Sequence, residues 1–275
     1  ARLWEESAVK AMEWAENEYE RWITSPDYSK VRDRAKSTVL VERNLAAVEL
    51  YRLTSDKRWH QVYISTQKTE SNRTEALFIY ARLDKSMVNR KAWQNAAENL
   101  MSEADRLVKL SESNAFGITN VSTGRPIGGY SGAYSTPAPA TLVRAHYLSG
   151  DVKYLKTILR SGLYTAGANP MNMCLTTGLG VNCVKNALHE DSKHTGQPAP
   201  LGITVFGPCE IKFGGAGPGS DLEQRLNAAC TPPVSAWPTA ESFFDVFWFV
   251  QQNEYVINNP LGPSAFIWGY LASRK

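Results

Sequence analysis

The stretch Leu53-Thr-Ser-Asp-Lys-Arg-Trp59 occurs a second time, altered but legible, as Leu148-Ser-Gly-Asp-Val-Lys-Tyr154. Each copy stands between two segments in which apolar residues recur at helical spacing. The shared positions have a physical reading. One helix ends, a short turn follows, and an aspartate (Asp56 or Asp151) accepts hydrogen bonds from the free N–H groups of the next helix. An aromatic residue three positions on, Trp59 or Tyr154, can pack back onto the hairpin. Helical hairpins repeated in this way predict an array or toroid of paired helices.

The pattern extends on both sides of each copy. Trp4, Ala8, Met12, Ala15, Tyr19 and Trp22 recur every three or four residues, predicting a long amphipathic helix that ends at Ser25-Pro26-Asp27. Further helices are predicted over 31–54, 56–68, 72–83 and 88–110, then over 140–149 and 152–163, and finally over 240–252 and 264–273. No segment keeps the period of two that marks a strand, so the chain reads as all-α. Two long interruptions break the array. Residues 117–139 are rich in Gly, Ser, Thr and Pro and include Gly128-Gly-Tyr-Ser-Gly-Ala-Tyr134; residues 168–238 show little periodicity and hold every cysteine. Loops of that length in a compact domain are usually functional.

Charge narrows the partners. Lys plus Arg number 30 and Asp plus Glu 27, a net +3 over 275 residues. That near balance argues against nucleic acid or a membrane surface held by bulk charge. No apolar run approaches the ~18 residues that span a bilayer. Cys174, Cys183, Cys209 and Cys230 form no Cys-x-x-Cys pair, which weakens a zinc reading. An even number in loops suits one or two disulfides in an oxidising compartment, Cys174–Cys183 and Cys209–Cys230 being the most local pairing. Spacing alone does not fix the connectivity, and buried free thiols are the alternative. Ala1 opens inside a helical pattern, as in a processed chain or a fragment. Asn72-Arg-Thr and Asn120-Val-Ser match the glycosylation sequon, a tripeptide too common to decide anything.

One acid stands out. Glu254 lies between the apolar run 243–250 and a second apolar segment that meets Pro260. A carboxyl group delivered to an aromatic-lined cleft loses hydration, and desolvation raises its pKa toward what a general acid needs. An exposed acid at a helix end is the plain alternative. His189-Glu-Asp-Ser-Lys-His194 spaces its histidines five apart, unlike a helical zinc pair, and suits a loop histidine that hydrogen-bonds a sugar hydroxyl. With 8 Trp, 12 Tyr and 9 Phe, the chain has rings to spare. Most belong to a core. Tyr130, Tyr134, Phe206 and Trp237 lie in Gly/Pro-rich loops and are the candidates for stacking on a pyranose.

Taken in order, Gly167-Ala-Asn169-Pro170, Thr177-Gly-Leu-Gly180, His189 and Asn253-Glu254 resemble the family nine glycoside hydrolases, which include many endoglucanases. The likeness is good from about residue 130 onward and looser before it. It implies an all-α (α/α)6 toroid of helical hairpins with long loops, the whole chain 1–275 forming a single catalytic-type domain. It implies inverting hydrolysis of a β-linked glucan, with Glu254 protonating the leaving oxygen and an Asp activating water on the opposite face. His189, Tyr130, Tyr134 and Trp237 would contact the polysaccharide or oligosaccharide substrate. No cofactor is expected, although the loops leave room for a structural calcium ion, and the enzyme would be secreted or periplasmic. There are departures. The family's Asp-Ala-Gly-Asp stretch, which carries the water-activating Asp, is missing. The chain therefore resembles the C-terminal part of the domain, incomplete at its N-terminus and completed by an N-terminal segment or a companion chain. The family's Arg after the substrate histidine is Glu190 here, which points to a different glycan, and the segment after Glu254 is short. Two other functions stay open: a glycan-binding protein without catalysis on the same scaffold, and a polysaccharide lyase that would use His189 with a tyrosine such as Tyr134.

Overall fold

Residues 2–25, 32–67, 74–119, 140–211, 219–257 and 261–274 are described by the computed structural model. Helices supply the regular structure: α1 (Arg2–Thr24), α2 (Arg32–Thr54), α3 (Lys57–Thr66), α4 (Thr74–Ala81), α5 (Arg90–Glu112), α6 (Ala140–Ser149), α7 (Val152–Thr165), α8 (Glu190–Thr195), α9 (Asp221–Asn227), α10 (Val250–Asn253) and α11 (Leu261–Ala272). Among the described residues there is no strand; isolated bridges join Cys174 to Cys183 and Thr176 to Thr204. The all-α expectation therefore holds. The chain divides into two compact units, Ala1–Ser102 and Glu103–Lys275.

The echo in sequence is an echo in atoms. Asp56 caps α3 at φ −73°, ψ 117°, and its Oδ1 accepts from Arg58 N–H at 2.9 Å; Asp151 caps α7 at φ −69°, ψ 117°, accepting from Lys153 N–H at 2.9 Å. Upstream, the Thr54 and Ser149 hydroxyls donate to the carbonyls of Leu50 (2.7 Å) and Ala145 (2.8 Å) and each accepts from the aspartate N–H at 3.1 Å. Between them, Ser55 and Gly150 take left-handed φ of 59° and 70°. Glycine sits there without strain, whereas serine adopts the same turn at a cost. Trp59 and Tyr154 are buried, as the motif requires.

In the first unit α2 packs mainly on α3 and α4, with Val48, Tyr63, Leu77 and Tyr80 at the centre. Buried Asn44 ties α2 to α3, its Nδ2 donating to Tyr63 O and Thr66 Oγ1. The stripe predicted on α1 is only partly covered: Met12 is buried, but Trp4, Ala8 and Ala15 are exposed.

In the second unit α6, α7 and α11 pack together. The apolar side chains beyond them form two clusters, one around Tyr164, Leu175, Val184 and Val205, the other around Cys209, Leu226, Val234 and Phe249. They overturn one expected element. The helix predicted over 240–252 is a single 3-10 turn at Thr239–Glu241, an extended run, and then α10 alone. Phe243 enters the first cluster and Phe244 the second. Neighbours that pack into two separate clusters favour extended backbone, because successive helical residues are only about 100° apart. The long loop at 168–238 is likewise not bare: it folds α8, α9 and a 3-10 turn at Val234–Ala236. All four cysteines are free thiols, and neither expected disulfide is closed.

Candidate active site

Four loop segments are stitched together by backbone hydrogen bonds, and they carry the residues singled out in the sequence. The first follows α7. Gly167, at φ 120°, opens the turn, and Asn169 closes it, its Nδ2 donating to the Tyr164 and Met173 carbonyls at 2.8 Å each. This explains the Gly-x-Asn-Pro pattern: glycine for a backbone few residues adopt, and asparagine as a clip across the turn. Leu175 N–H then donates to Thr165 O, and Val205 N–H to Leu175 O, which brings residues 203–207 alongside. Thr177 locks the Thr-Gly-Leu-Gly loop in place. Its hydroxyl donates to Pro200 O at 2.6 Å and accepts from Ile203 N–H at 2.9 Å.

Glu254 sits where the remaining segments meet. Phe206 N–H donates to Glu254 O at 2.9 Å, Gly207 N–H to Gln252 O at 2.9 Å, and Leu188 N–H to Asn253 O at 2.8 Å. The backbone of the His189 segment is thus bonded to the residue just before the acid. Gln252 and Asn253 are fully buried and hold this corner. Gln252 Oε1 accepts from Phe244 N–H at 2.8 Å, its amide donates to Ser242 O, and Asn253 Nδ2 donates to Phe244 O at 2.7 Å. The Glu254 side chain is half-buried; its Oε2 is shielded from solvent and has no hydrogen-bond partner, and the same holds for Asn253 Oδ1. A buried carboxylate oxygen left without a donor is rare and calls for an explanation.

His189 caps α8. Its Nδ1 accepts from Ser192 N–H at 3.3 Å and lies 2.8 Å from Ser192 Oγ. An amide can only donate, so where Nδ1 accepts from Ser192 N–H the ring's N–H lies on Nε2. That leaves an N–H donor at the far edge of the ring. Glu190, the acid that follows, is exposed and turned to its own helix, near Lys193 Nζ (3.6 Å) and His194 Nε2 (3.4 Å).

The stacking candidates fare differently. Phe206 is buried in the interior and offers no face to a sugar; its place in a Gly/Pro-rich loop misled the reading. Trp237 is half-buried, its ring 5.4 Å from Phe244 and its N–H donating to Pro232 O at 2.9 Å. Tyr130 and Tyr134 lie outside the described residues, as do Asn72, Asn120 and Pro260. Among the described residues no group of three or more His, Cys, Asp or Glu could hold a metal ion.

Sequence reasoning missed two residues that build the site. Ser192 orients His189. Asp245 clamps the approach to it, its two carboxylate oxygens accepting from Lys185 N–H and Asn186 N–H at 2.8 Å each, while Asn186 Nδ2 donates to the Asp245 carbonyl at 2.9 Å. The signal for Asp245 was present. It is an acid inside Phe243-Phe-Asp-Val-Phe-Trp-Phe249, as out of place as Glu254.

The fold has counterparts. By structure the chain is similar to the GH family 9 endoglucanase J30 (TM-score 0.70, 21% identity), covering 86% of this chain and 43% of that one. It is similar to a Bacteroides ovatus GH9 protein (TM-score 0.63, 21% identity, 85% and 40%) and to a thermostable endoglucanase from Alicyclobacillus acidocaldarius (TM-score 0.66, 20% identity, 85% and 43%). The likeness establishes a shared fold, of which this chain spans less than half the length. No curated protein matches the sequence. The sequence profile of Glycosyl hydrolase family 9 matches residues 1–262. The chain belongs to that family.

Proposed function

We propose that the chain is part of an inverting hydrolase of β-linked glucans in which Glu254 is the general acid. The observation that carries the reading is the buried, unpartnered Oε2 of Glu254 at the corner joined to the His189 segment. An oxygen held there is placed to give its proton to a glycosidic oxygen, a transfer worth about 10²–10⁴ in rate. His189 donates from Nε2 to a sugar hydroxyl, with Ser192 fixing the tautomer. The relative AaCel9A was solved with a cellobiose-like isofagomine, which supports a glucan as substrate. Glu190, in the place of the family's Arg, shifts preference among glucans.

Inversion needs a second carboxylate, about 6.5–9.5 Å from the first, to activate water. In our reading it comes from outside these 275 residues, on a segment or companion chain that completes the domain. Leu3, Trp4 and Trp14 of α1, exposed at 79%, 81% and 67%, are the apolar surface such a segment would cover. No cofactor is required. Action on a polymer places the enzyme in the periplasm or outside the cell.

The test is Glu254→Gln in the whole protein. It keeps glycan affinity and loses turnover by about 10²–10⁴, and the wild type releases the α-anomer, followed by NMR of fresh product. Undiminished turnover in the variant removes Glu254 from the chemistry. Wild-type binding without release of reducing ends makes the protein a glycan binder, and product absorbing in the ultraviolet makes it a lyase.

A further inference from the structure

We propose that Cys174 and Cys183 are a redox pair that closes reversibly into a disulfide and so pins the loop carrying Thr177-Gly-Leu-Gly180. The proposal stands on backbone geometry. The two cysteines are the paired residues of a parallel bridge: Cys174 N–H donates to Asn182 O at 2.8 Å, and Val184 N–H donates to Cys174 O at 3.0 Å. Residues paired in this way project their side chains from the same face of neighbouring strands, which run about 4.8 Å apart. A disulfide spans Cα separations of about 4.4–6.8 Å, a range that includes the spacing of bridge-paired residues. Both thiols are free. No bridge among the described residues pairs Cys209 with Cys230, although both touch the second apolar cluster.

The two sulfurs differ in access, and this sets the order of events. Cys174 is buried at 3% exposure, whereas Cys183 is half-buried. Burial pushes the Cys174 thiol up, the Thr176 N–H and hydroxyl pull it back, and the charge of a Cys183 thiolate would push it up further. Cys209 is buried too, and desolvation pushes its thiol up to about 12, which makes it a poor nucleophile. The oxidant is a low-molecular-weight disulfide. The Cys183 thiolate attacks one of its sulfurs, forming a mixed disulfide and expelling one thiolate. Cys174, deprotonated, then attacks the Cys183 sulfur, forming the Cys174–Cys183 bond and expelling the second. The two protein thiols lose two protons and two electrons; the small disulfide gains both and leaves as two thiols.

Closure acts on a loop that is already half tied. Thr177 is anchored to Pro200 and Ile203 at one end of the turn. Beyond it Gly178 and Gly180 take φ of 70° and 77°, and Leu179 and Val181 project into solvent. The bond would fix the other end. The same ladder runs on through Leu175 and Val205 to Phe206, whose N–H holds Glu254 O.

The test uses oxidised glutathione on the native protein, followed by alkylation of the remaining thiols and digestion without reductant. The expected result is a Cys174–Cys183 cross-linked peptide, loss of two hydrogens from the intact mass, and reversal by dithiothreitol. Hydrogen exchange at 176–182 should slow by at least about 5-fold in the oxidised form. Cys174→Ser should instead keep one glutathione on Cys183, since the resolving thiol is gone. Four alkylated thiols after oxidation, a lasting glutathione adduct on wild-type Cys183, or a cross-link to Cys209 or Cys230 would overturn the proposal. Mapping the wild type decides the matter even where the variant fails to fold. No readout involves glycan, so a failure here leaves the Glu254 reading untouched.

Discussion

Asp245→Ala removes the two carboxylate oxygens that hold the backbone leading to His189. Both bonds, from Lys185 N–H and Asn186 N–H, measure 2.8 Å. A hydrogen bond to a charged group contributes about 1.5–3 kcal/mol, and its loss costs most where the freed donor stays dry. Here both donors belong to exposed residues, so water takes them up. A third link, Asn186 Nδ2 to the Asp245 carbonyl at 2.9 Å, uses the backbone and survives the substitution. The pair is therefore worth about 1–2 kcal/mol in all. That cost falls on local opening of residues 184–189, which have no helix of their own before α8, and not on unfolding of the α6, α7 and α11 packing. The reporter is the Leu188 N–H, which donates to Asn253 O at 2.8 Å. Native-state hydrogen exchange should show its protection falling by a factor of about 5–30, with α7 unchanged. Asp245→Asn keeps one acceptor oxygen and should fall between. Leu188 protection unchanged in the alanine variant would show that the clamp does not hold the His189 segment. An equal loss across α6 and α7 would show that Asp245 supports the whole unit.

The remaining predictions concern the hairpins. Asp151→Ala should cost about 1 kcal/mol in denaturant unfolding by removing the cap of α7, and Asp56→Ala should act in the same direction through α3; stability unchanged in both would mean that the repeated aspartate is incidental. Asp105 lies at the second hairpin, where Lys153 Nζ and the Tyr154 hydroxyl each reach its Oδ1 at 2.8 Å. The hydrogen bond from Lys153, more than burial opposes it, holds the Asp105 carboxyl below its usual range. A carboxylate depressed in the folded state stabilises above its unfolded value of about 4 and loses that contribution as pH falls through the folded value. Asp105→Asn should flatten the acid limb of the stability–pH curve below about pH 4 while leaving its shape near neutrality intact. Acid limbs that superimpose for the two proteins would remove Asp105 from the account.

What the sequence made legible follows from the range of the forces involved. The repeated hairpin could be read because each of its parts acts within five residues: the Thr54 or Ser149 hydroxyl, the left-handed residue and the aspartate cap all bond to near neighbours. Asn253-Glu254 and His189 could be picked out as residue types in unusual settings, but their union could not. It depends on Leu188 N–H meeting Asn253 O across 65 positions, a pairing that leaves no periodic trace. The predicted helix over 240–252 failed for the same reason. Locally, Phe243 to Val250 is an apolar run as compatible with a helix as with anything else. What decides it is the presence of two separate clusters, one taking Phe243 and the other Phe244, and an exposed loop at 185–186 waiting for Asp245. An acid buried in an aromatic run is a sign of such long-range demand, since nothing nearby in sequence rewards it. Asp245 and Glu254 are both of this kind, nine residues apart: the first spends its carboxylate on backbone amides, whereas the second keeps an oxygen buried and unpaired. Of two acids that local forces cannot explain, it is the one whose bonding capacity remains unspent that we propose as the general acid.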